Sequence, residues 1–349
     1  MDISTIDKNF LVQNTINKED VVFYDAEQAP FKIYGIKREG EQFRRMPEAV
    51  ARATSAGVLY QHGNTAGGRV RFMTDSPYIA IVAEYGPKVG KMAHFPFTGS
   101  IGFDLYTGKR YLKTFVPPFD IKDRLESVID LYDPSLREYT INFPLYSDVK
   151  KLYIGLKEGS IIQEVPDYAD PLPIVYYGSS ITQGGCASRP GGSYQSIIGR
   201  ELDMDHINLG FSGNAKAEDV MADYVASLDM RVFVYDYDHN APNPAHLAAT
   251  HEKMFKKVRA AHLDLPILML TRPKYYLTDE EKERLAIVRQ TYENALAAGD
   301  KNVYFIPGTE LLMDFLMECA LVDNCHPNQA GFASMAYVIG NKLKEILGR

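Results

Sequence analysis

Tryptophan is absent from the 349 residues, and cysteine occurs only three times. No apolar run approaches the ~20 residues that a membrane-spanning helix needs. Without tryptophan, any surface that stacks on a sugar ring must use Tyr or Phe, which occur 23 and 17 times. Cys186, Cys319 and Cys325 are too few for a disulfide framework and lack metal-type spacing, which suits a reducing cytoplasm. An excess of positive charge is also missing. The net charge of −7 argues against a phosphate-backbone binder, so neither nucleic acid nor a membrane is an expected partner. Met1-Asp2-Ile3-Ser4 has no basic stretch and no apolar stretch of a secretory signal, although a trimmed secreted chain would read the same. What is present is an ordinary globular composition, 46% apolar and 24% charged, long enough for two domains of roughly 100–200 residues.

From Val21 to about Gln163 the chain offers short β-type segments separated by turn residues such as His62-Gly63-Asn64 and Thr107-Gly108. Val21–Tyr24, Phe31–Tyr34, Val70–Phe72, Tyr139–Phe143 and Lys151–Leu156 are apolar or alternating, and Ile79–Ala83 reads as a strand buried on both faces. This spacing predicts an antiparallel sandwich of jelly-roll type over residues 1–165. Within it, Asp104 in Gly102-Phe103-Asp104-Leu105-Tyr106 reads as an outward-facing acid, with a sugar ligand as the other reading. His62 and His94 take no role. Glu164–Pro173, with three prolines and three acids, reads as a stiff solvated linker.

After the linker, strand candidates Ile174–Tyr177, His206–Leu209, Val232–Tyr235, Ile267–Leu270 and Val303–Ile306 alternate with helix candidates Tyr194–Leu202, Ala217–Leu228, Pro244–His262 and Asp279–Ala298, and a last helix follows at Gln329–Leu347. That alternation predicts an α/β domain over residues 171–349, a parallel sheet with helices on both faces. Ligands of such sheets bind beyond the carboxyl ends of the strands, so the loops there are the ones to read. The first carries Ser179 and Ser180 in a tight Gly-bounded turn, the second Ser212-Gly213-Asn214, the third Asp236 to Asn243, and the last Asp323 to Pro327. A hydroxyl nucleophile needs a base, an acid to orient the base, and N–H donors for the developing oxyanion. Asp323 and His326, three apart, suit the acid and the base, because the carboxylate can hold one ring nitrogen while the other faces a serine.

These residues resemble the SGNH (GDSL-type) hydrolases. Gly178-Ser179-Ser180-Ile181-Thr182-Gln183-Gly184 looks like the first family block, Gly-Asp-Ser-Ile-Thr-x-Gly. Ser212-Gly213 matches the second, Asn240 the Asn of the third, and Asp323 with His326 the last. The resemblance implies a three-layer, flavodoxin-like hydrolase domain with Ser180 as nucleophile, His326 as base and Asp323 as its orienting acid. It also implies an oxyanion hole from the N–H groups of Ser180 and Gly213 and the amide of Asn240. Gly102–Tyr106 is similar to the Gly-x-Asp-Leu-Tyr signature of the β-domain that precedes SGNH domains in one two-domain subgroup. Members similar to this arrangement include esterases of acylated sugars and plant polysaccharides.

The chain departs from the family pattern at Ser179, where the family has Asp, and at Asp238 and Ala241 in the third block. Asp236 or Asp238 is the alternative to Asp323 as partner of His326. The expected reaction is two-step hydrolysis of short acyl esters, acetyl above all, on carbohydrates such as mannan or xylan oligosaccharides, with no cofactor and no metal. Arg189, in the loop after the nucleophile, and His239, beside Asn240, are the expected substrate-binding residues. The partner is an acetylated oligosaccharide or another small ester, and the sequence leaves a homo-oligomer open. The alternatives are a lipase, lysophospholipase or thioesterase of the same superfamily, and, from another class, an inactive carbohydrate-binding protein.

Overall fold

A computed structural model describes residues 14–349. The chain forms two compact units. The first takes the residues up to Arg44, Gly63–Asp167 and Arg189–Gly191; the second takes Arg45–His62, Tyr168–Ser188 and Gly192–Arg349. Among the described residues no helix is long and apolar enough to cross a membrane.

The first unit is built from two larger antiparallel sheets and a two-stranded one, Lys37–Glu39 with Gln42–Arg44. One runs Val21–Asp25, Val149–Lys157, Tyr78–Tyr85, Arg124–Asp130 in spatial order. The other runs Ile162–Gln163, Arg69–Thr74, Arg137–Asn142, Phe103–Thr107, Arg110–Phe115, with Lys32–Tyr34 also paired to Arg69–Thr74. The period of two explains the packing. Ile79, Ile81 and Ala83 enter the core that Val70, Phe72, Leu105, Ile141 and Ile154 share, and Ala80 and Val82, on the opposite face, pack with Val21 and Phe23. The strand at Ile79–Ala83 is therefore buried on both faces, as its unbroken apolar run predicts.

Asp104 differs from the expectation of an outward-facing acid, being fully buried. Its Oδ1 accepts from Asn142 Nδ2 at 2.7 Å and its Oδ2 from the Gly191 N–H at 2.8 Å. A buried carboxylate is tolerable when both oxygens are bonded in this way. A Cβ on Gly191 would lie 2.5 Å from the Tyr106 ring and 2.7 Å from Asn142 Nδ2, so only glycine allows this approach. The signature Gly102–Tyr106 thus grips residues 189–191.

The second unit carries a five-stranded parallel sheet in the order Met204–Gly210, Asp170–Gly178, Val232–Asp236, Ile267–Leu270, Val303–Ile306. The first strand in sequence has the second on one side and the third on the other, which places the topological switch at its carboxyl end. That strand begins at Asp170, inside the stretch expected as linker, and its pairing shifts register between Asp170 and Ile174. Pro171 and Pro173 have no N–H to donate, which accounts for the irregular start. Helices Tyr194–Leu202, Asp219–Ala226, Pro244–Ala261, Asp279–Ala297 and Gln329–Leu347 follow the strands close to their expected positions.

Arg45–His62 is counted with the second unit, although it lies well before residue 165 in the chain. The segment holds two helices that the sequence reading passed over, Glu48–Thr54 and Ala56–Gln61. Ser55 caps the second by accepting the Val58 N–H. Met46, Ala51 and Val58 are buried in one apolar cluster with Val175, Tyr177, Phe211 and Phe233. Arg45, only 4% exposed, donates to the carbonyls of Gly210 (2.6 Å), Asn208 (3.2 Å) and Gln61 (2.9 Å).

Candidate active site

Ser180 opens a four-residue helical turn, Ser180–Gln183, directly after the first parallel strand. Ser179 is its N-cap, accepting the Ile181 N–H on its side-chain oxygen at 3.1 Å. Serine caps as well as aspartate, so the departure from the family at this position keeps the local structure. Gly184, at φ 106°, ends the turn in a conformation that favours glycine. Thr182 fastens the turn from behind. Its hydroxyl donates to Asp236 Oδ1 at 2.6 Å, and its carbonyl accepts from Gln195 Nε2 at 2.6 Å and Asn208 Nδ2 at 2.8 Å. Gly178 must be small, because a Cβ there would lie 2.2 Å from both Asp236 Oδ1 and Thr182 Oγ1.

Asp323 and His326 owe their geometry to one tight turn. Asp323 Oδ1 accepts the N–H groups of Cys325 (3.1 Å) and His326 (2.7 Å), while Oδ2 meets His326 Nδ1 at 2.8 Å. Asn324, at φ 58°, takes the left-handed conformation, which Asn tolerates better than most residues. Pro327 and the N-cap Asn328 then start the final helix, and Asn328 accepts the Ala330 and Gly331 N–H groups. With Nδ1 committed to Asp323, His326 Nε2 lies 2.8 Å from Ser180 Oγ. The chain's Ser, His and Asp candidates are therefore in a line of two hydrogen bonds. Asp236 and Asp238 are engaged elsewhere: Asp236 with Thr182, and Asp238 with the Arg272 N–H at 3.2 Å.

Burial works against a charged His326, but the Cys325 thiol and the Asp323 carboxylate outweigh it and hold the imidazole above its ordinary value. Burial likewise opposes the Asp323 carboxylate, yet the His326 N–H and imidazole hold it below its ordinary value. Burial pushes Asp236 up to about 8 and the Cys186 thiol up to about 12. Asp323, Cys325 and His326 place donor atoms within 4.8 Å of one another, a spacing that a cation could use. Asp323 and His326 bond each other, and His326 bonds Ser180, an arrangement that could also relay a proton.

The second loop starts at the carboxyl end of Met204–Gly210, the strand beside Asp170–Gly178. Gly213 is at φ 69°, and the preceding Ser212 N–H donates to Gln183 Oε1 at 3.1 Å, which ties this loop to the turn that carries Ser180. Asn240 donates one of its amide hydrogens to the Phe211 carbonyl at 3.0 Å, which orients the second hydrogen of the same NH2 group. Arg284 holds the third loop by donating to the carbonyls of Asp238 (2.5 Å) and Ala241 (2.9 Å). His239 is nearly buried, its Nδ1 3.4 Å from Asp238. Arg189 is counted with the first unit, where Nε donates to Tyr106 Oη at 3.1 Å and the guanidinium lies over the Tyr111 ring. The sequence reading missed Gln183, Asp236's link to Thr182, and the whole Arg45–His62 segment. Of these, the segment had a readable signal, an apolar pattern after Pro47 with a serine cap at Ser55.

Residues 172–344 match the GDSL-like lipase/acylhydrolase family, and residues 21–162 match the GxDLY domain found at the N-terminus of SGNH-hydrolase-type esterases. No curated protein sequence matches the chain. Among solved structures, a Bacteroides ovatus protein named as a GDSL-like lipase is 27% identical with a TM-score of 0.84, over 94% of this chain and 98% of its own. A salicylyl-acyltransferase from a tetracycline biosynthetic pathway is 17% identical with a TM-score of 0.74, over 95% of this chain and 99% of its own. An acetyl xylan esterase from the rumen bacterium Butyrivibrio proteoclasticus is 13% identical with a TM-score of 0.62, over 94% of this chain and 99% of its own. The last two likenesses concern the fold alone. Taken with the ordered blocks and the sheet order, the family matches make this chain a two-domain member of the GDSL-like (SGNH) lipase/acylhydrolase family, a carboxylic ester hydrolase with a GxDLY-type β-domain before its α/β domain.

Proposed function

We propose that this esterase removes short acyl groups, acetyl above all, from carbohydrates such as mannan or xylan oligosaccharides. The observation that carries the chemistry is the pair of 2.8 Å contacts, Ser180 Oγ to His326 Nε2 and His326 Nδ1 to Asp323 Oδ2. Ser180 Oγ attacks the ester carbonyl while His326 Nε2 takes the hydroxyl proton. Asp323 orients the ring and stabilises the imidazolium. The tetrahedral oxyanion is met by the N–H groups of Ser180 and Gly213 and by the Asn240 amide. His326 then gives its proton to the departing sugar alcohol, which leaves an acyl-serine. Water, deprotonated by His326, attacks that ester and releases the acid, and the proton returns to Ser180.

The substrate class is supported by polar residues in the loops beside Ser180, with His239 next to Asn240 as the candidate for the alcohol side, and by the acetyl xylan esterase among the structures of similar fold. The test is acetate release from a panel of acetylated polysaccharides, followed by NMR so that the deacetylated position is identified, with p-nitrophenyl acyl esters of rising chain length alongside. Acetyl preferred steeply over butyryl and longer chains is the expected result. A preference for long chains would replace this reading with a lipase. A second reading, acyl transfer to an alcohol other than water, is favoured by the acyltransferase of similar fold, and ester products in the same NMR spectra would reveal it.

A further inference from the structure

The Ser212–Gly213 peptide has two ends, and the fold holds one of them. Its N–H belongs to Gly213. Its carbonyl oxygen, on Ser212, accepts two side-chain amides, from Gln61 Nε2 at 2.8 Å and from Asn214 Nδ2 at 2.7 Å. Because a peptide group is planar, fixing the direction of its C=O fixes the direction of its N–H on the opposite edge. The neighbouring bonds add to this. Arg45 donates to the Gly210 carbonyl and lies over the Phe211 ring, with its carbon 4.7 Å from the ring centre. Gly57, in the same helix as Gln61, approaches Asn214 so closely that a Cβ would lie 1.8 Å from its Oδ1.

We propose that Gln61 is a positioning residue for the oxyanion hole: together with Asn214 it aims the Gly213 N–H at the tetrahedral oxyanion. The inference rests on the ester-hydrolysis reading above. Gln61 Oε1 is buried with no partner among the described residues. A buried, unpartnered amide oxygen is a cost that a purely space-filling Leu or Met would avoid. The bond from Nε2 to Ser212 is what the amide adds. Removing an oxyanion donor costs on the order of 100-fold in turnover, and tilting one without removing it should cost about tenfold. The effect belongs in kcat, because the donor acts on charge that develops only in the transition state.

The test compares wild type with Gln61→Met, which keeps the side chain's length, and with Asn214→Ala. Each is assayed with p-nitrophenyl acetate for kcat, KM and melting temperature, and for inhibition by an alkylboronic acid, which adds to the serine oxygen as a tetrahedral mimic. The expected result is a kcat lower by about tenfold in each variant, with KM within twofold and a boronate inhibition constant raised in proportion. Unchanged kcat in both variants overturns the proposal. So does a loss of kcat that follows only the fraction of folded enzyme, with boronate inhibition per active site unaltered. Ser180→Ala separates the two readings: if it remained active, the ester-hydrolysis reading itself would fail, whereas an inactive Ser180→Ala beside an unaffected Gln61→Met would sink only the role of Gln61.

Discussion

In the proposed mechanism the Asp323–His326 contact sets the pH range in which Ser180 is activated. A base has to be neutral to take a proton, and the His326 imidazole is held above its ordinary value. Activity should therefore be lost as pH falls through that raised value and be constant above it. In Asp323→Asn the carboxylate that favours the imidazolium is gone, so the acid limb of the kcat profile should move to lower pH. Turnover on the plateau should drop roughly a thousandfold or more, because the ring is no longer held in the right tautomer. In Cys325→Ala the limb should shift the same way with the plateau retained, since the thiol touches the imidazole without taking part in the relay. A pH series of kcat for the three proteins checks both statements. Asp236 makes a separate claim about stability. Burial raises its carboxyl to about 8, so the folded state keeps a proton that the unfolded chain releases near pH 4. Stability contributed by this group is thus lost as pH rises from about 4 to about 8 and stays lost above that. Asp236→Asn should melt several degrees above wild type at pH 8 and close to it at pH 4.5, which calorimetry at the two pH values would show.

At the scale of elements, the helical pair Glu48–Thr54 and Ala56–Gln61 is what the sequence reading passed over. The helices are seven and six residues long, too short to stand alone, so their stability must come from packing. Arg45 shows where it comes from. Replacing it by Met would leave three carbonyls without the donor they now share, at a cost of about 2–4 kcal/mol. Urea denaturation of Arg45→Met should show that loss, together with reduced turnover, because the Gly210 carbonyl lies at the root of the loop that holds Gly213. The parallel strands and the long helices were legible for the opposite reason. Their apolar residues recur with the element's own period, and Asp279–Ala297 even carries its capping box, Thr278 with Glu281, in plain sequence.

For the whole molecule, the division of the chain into units follows contacts and not chain order. A piece starting at Tyr168 would lack Arg45–His62 and leave the Phe211 side of the apolar cluster uncovered. Such a piece should fail to give a cooperative thermal transition, and adding residues 45–62 back through a linker should restore one. Local sequence offers the candidate nucleophile, base and acid and sets out the alternating architecture, since each is written in residues close together or in a repeating period. Asp104 reads there as a surface acid, and neither Gln61 nor Arg45 carries a signal. Folding settled these residues, because each depends on partners far away in the chain: Asn142 and Gly191 for Asp104, Ser212 for Gln61, and Gly210 for Arg45. Burial and hydrogen bonding across such distances leave no period or spacing behind in the sequence.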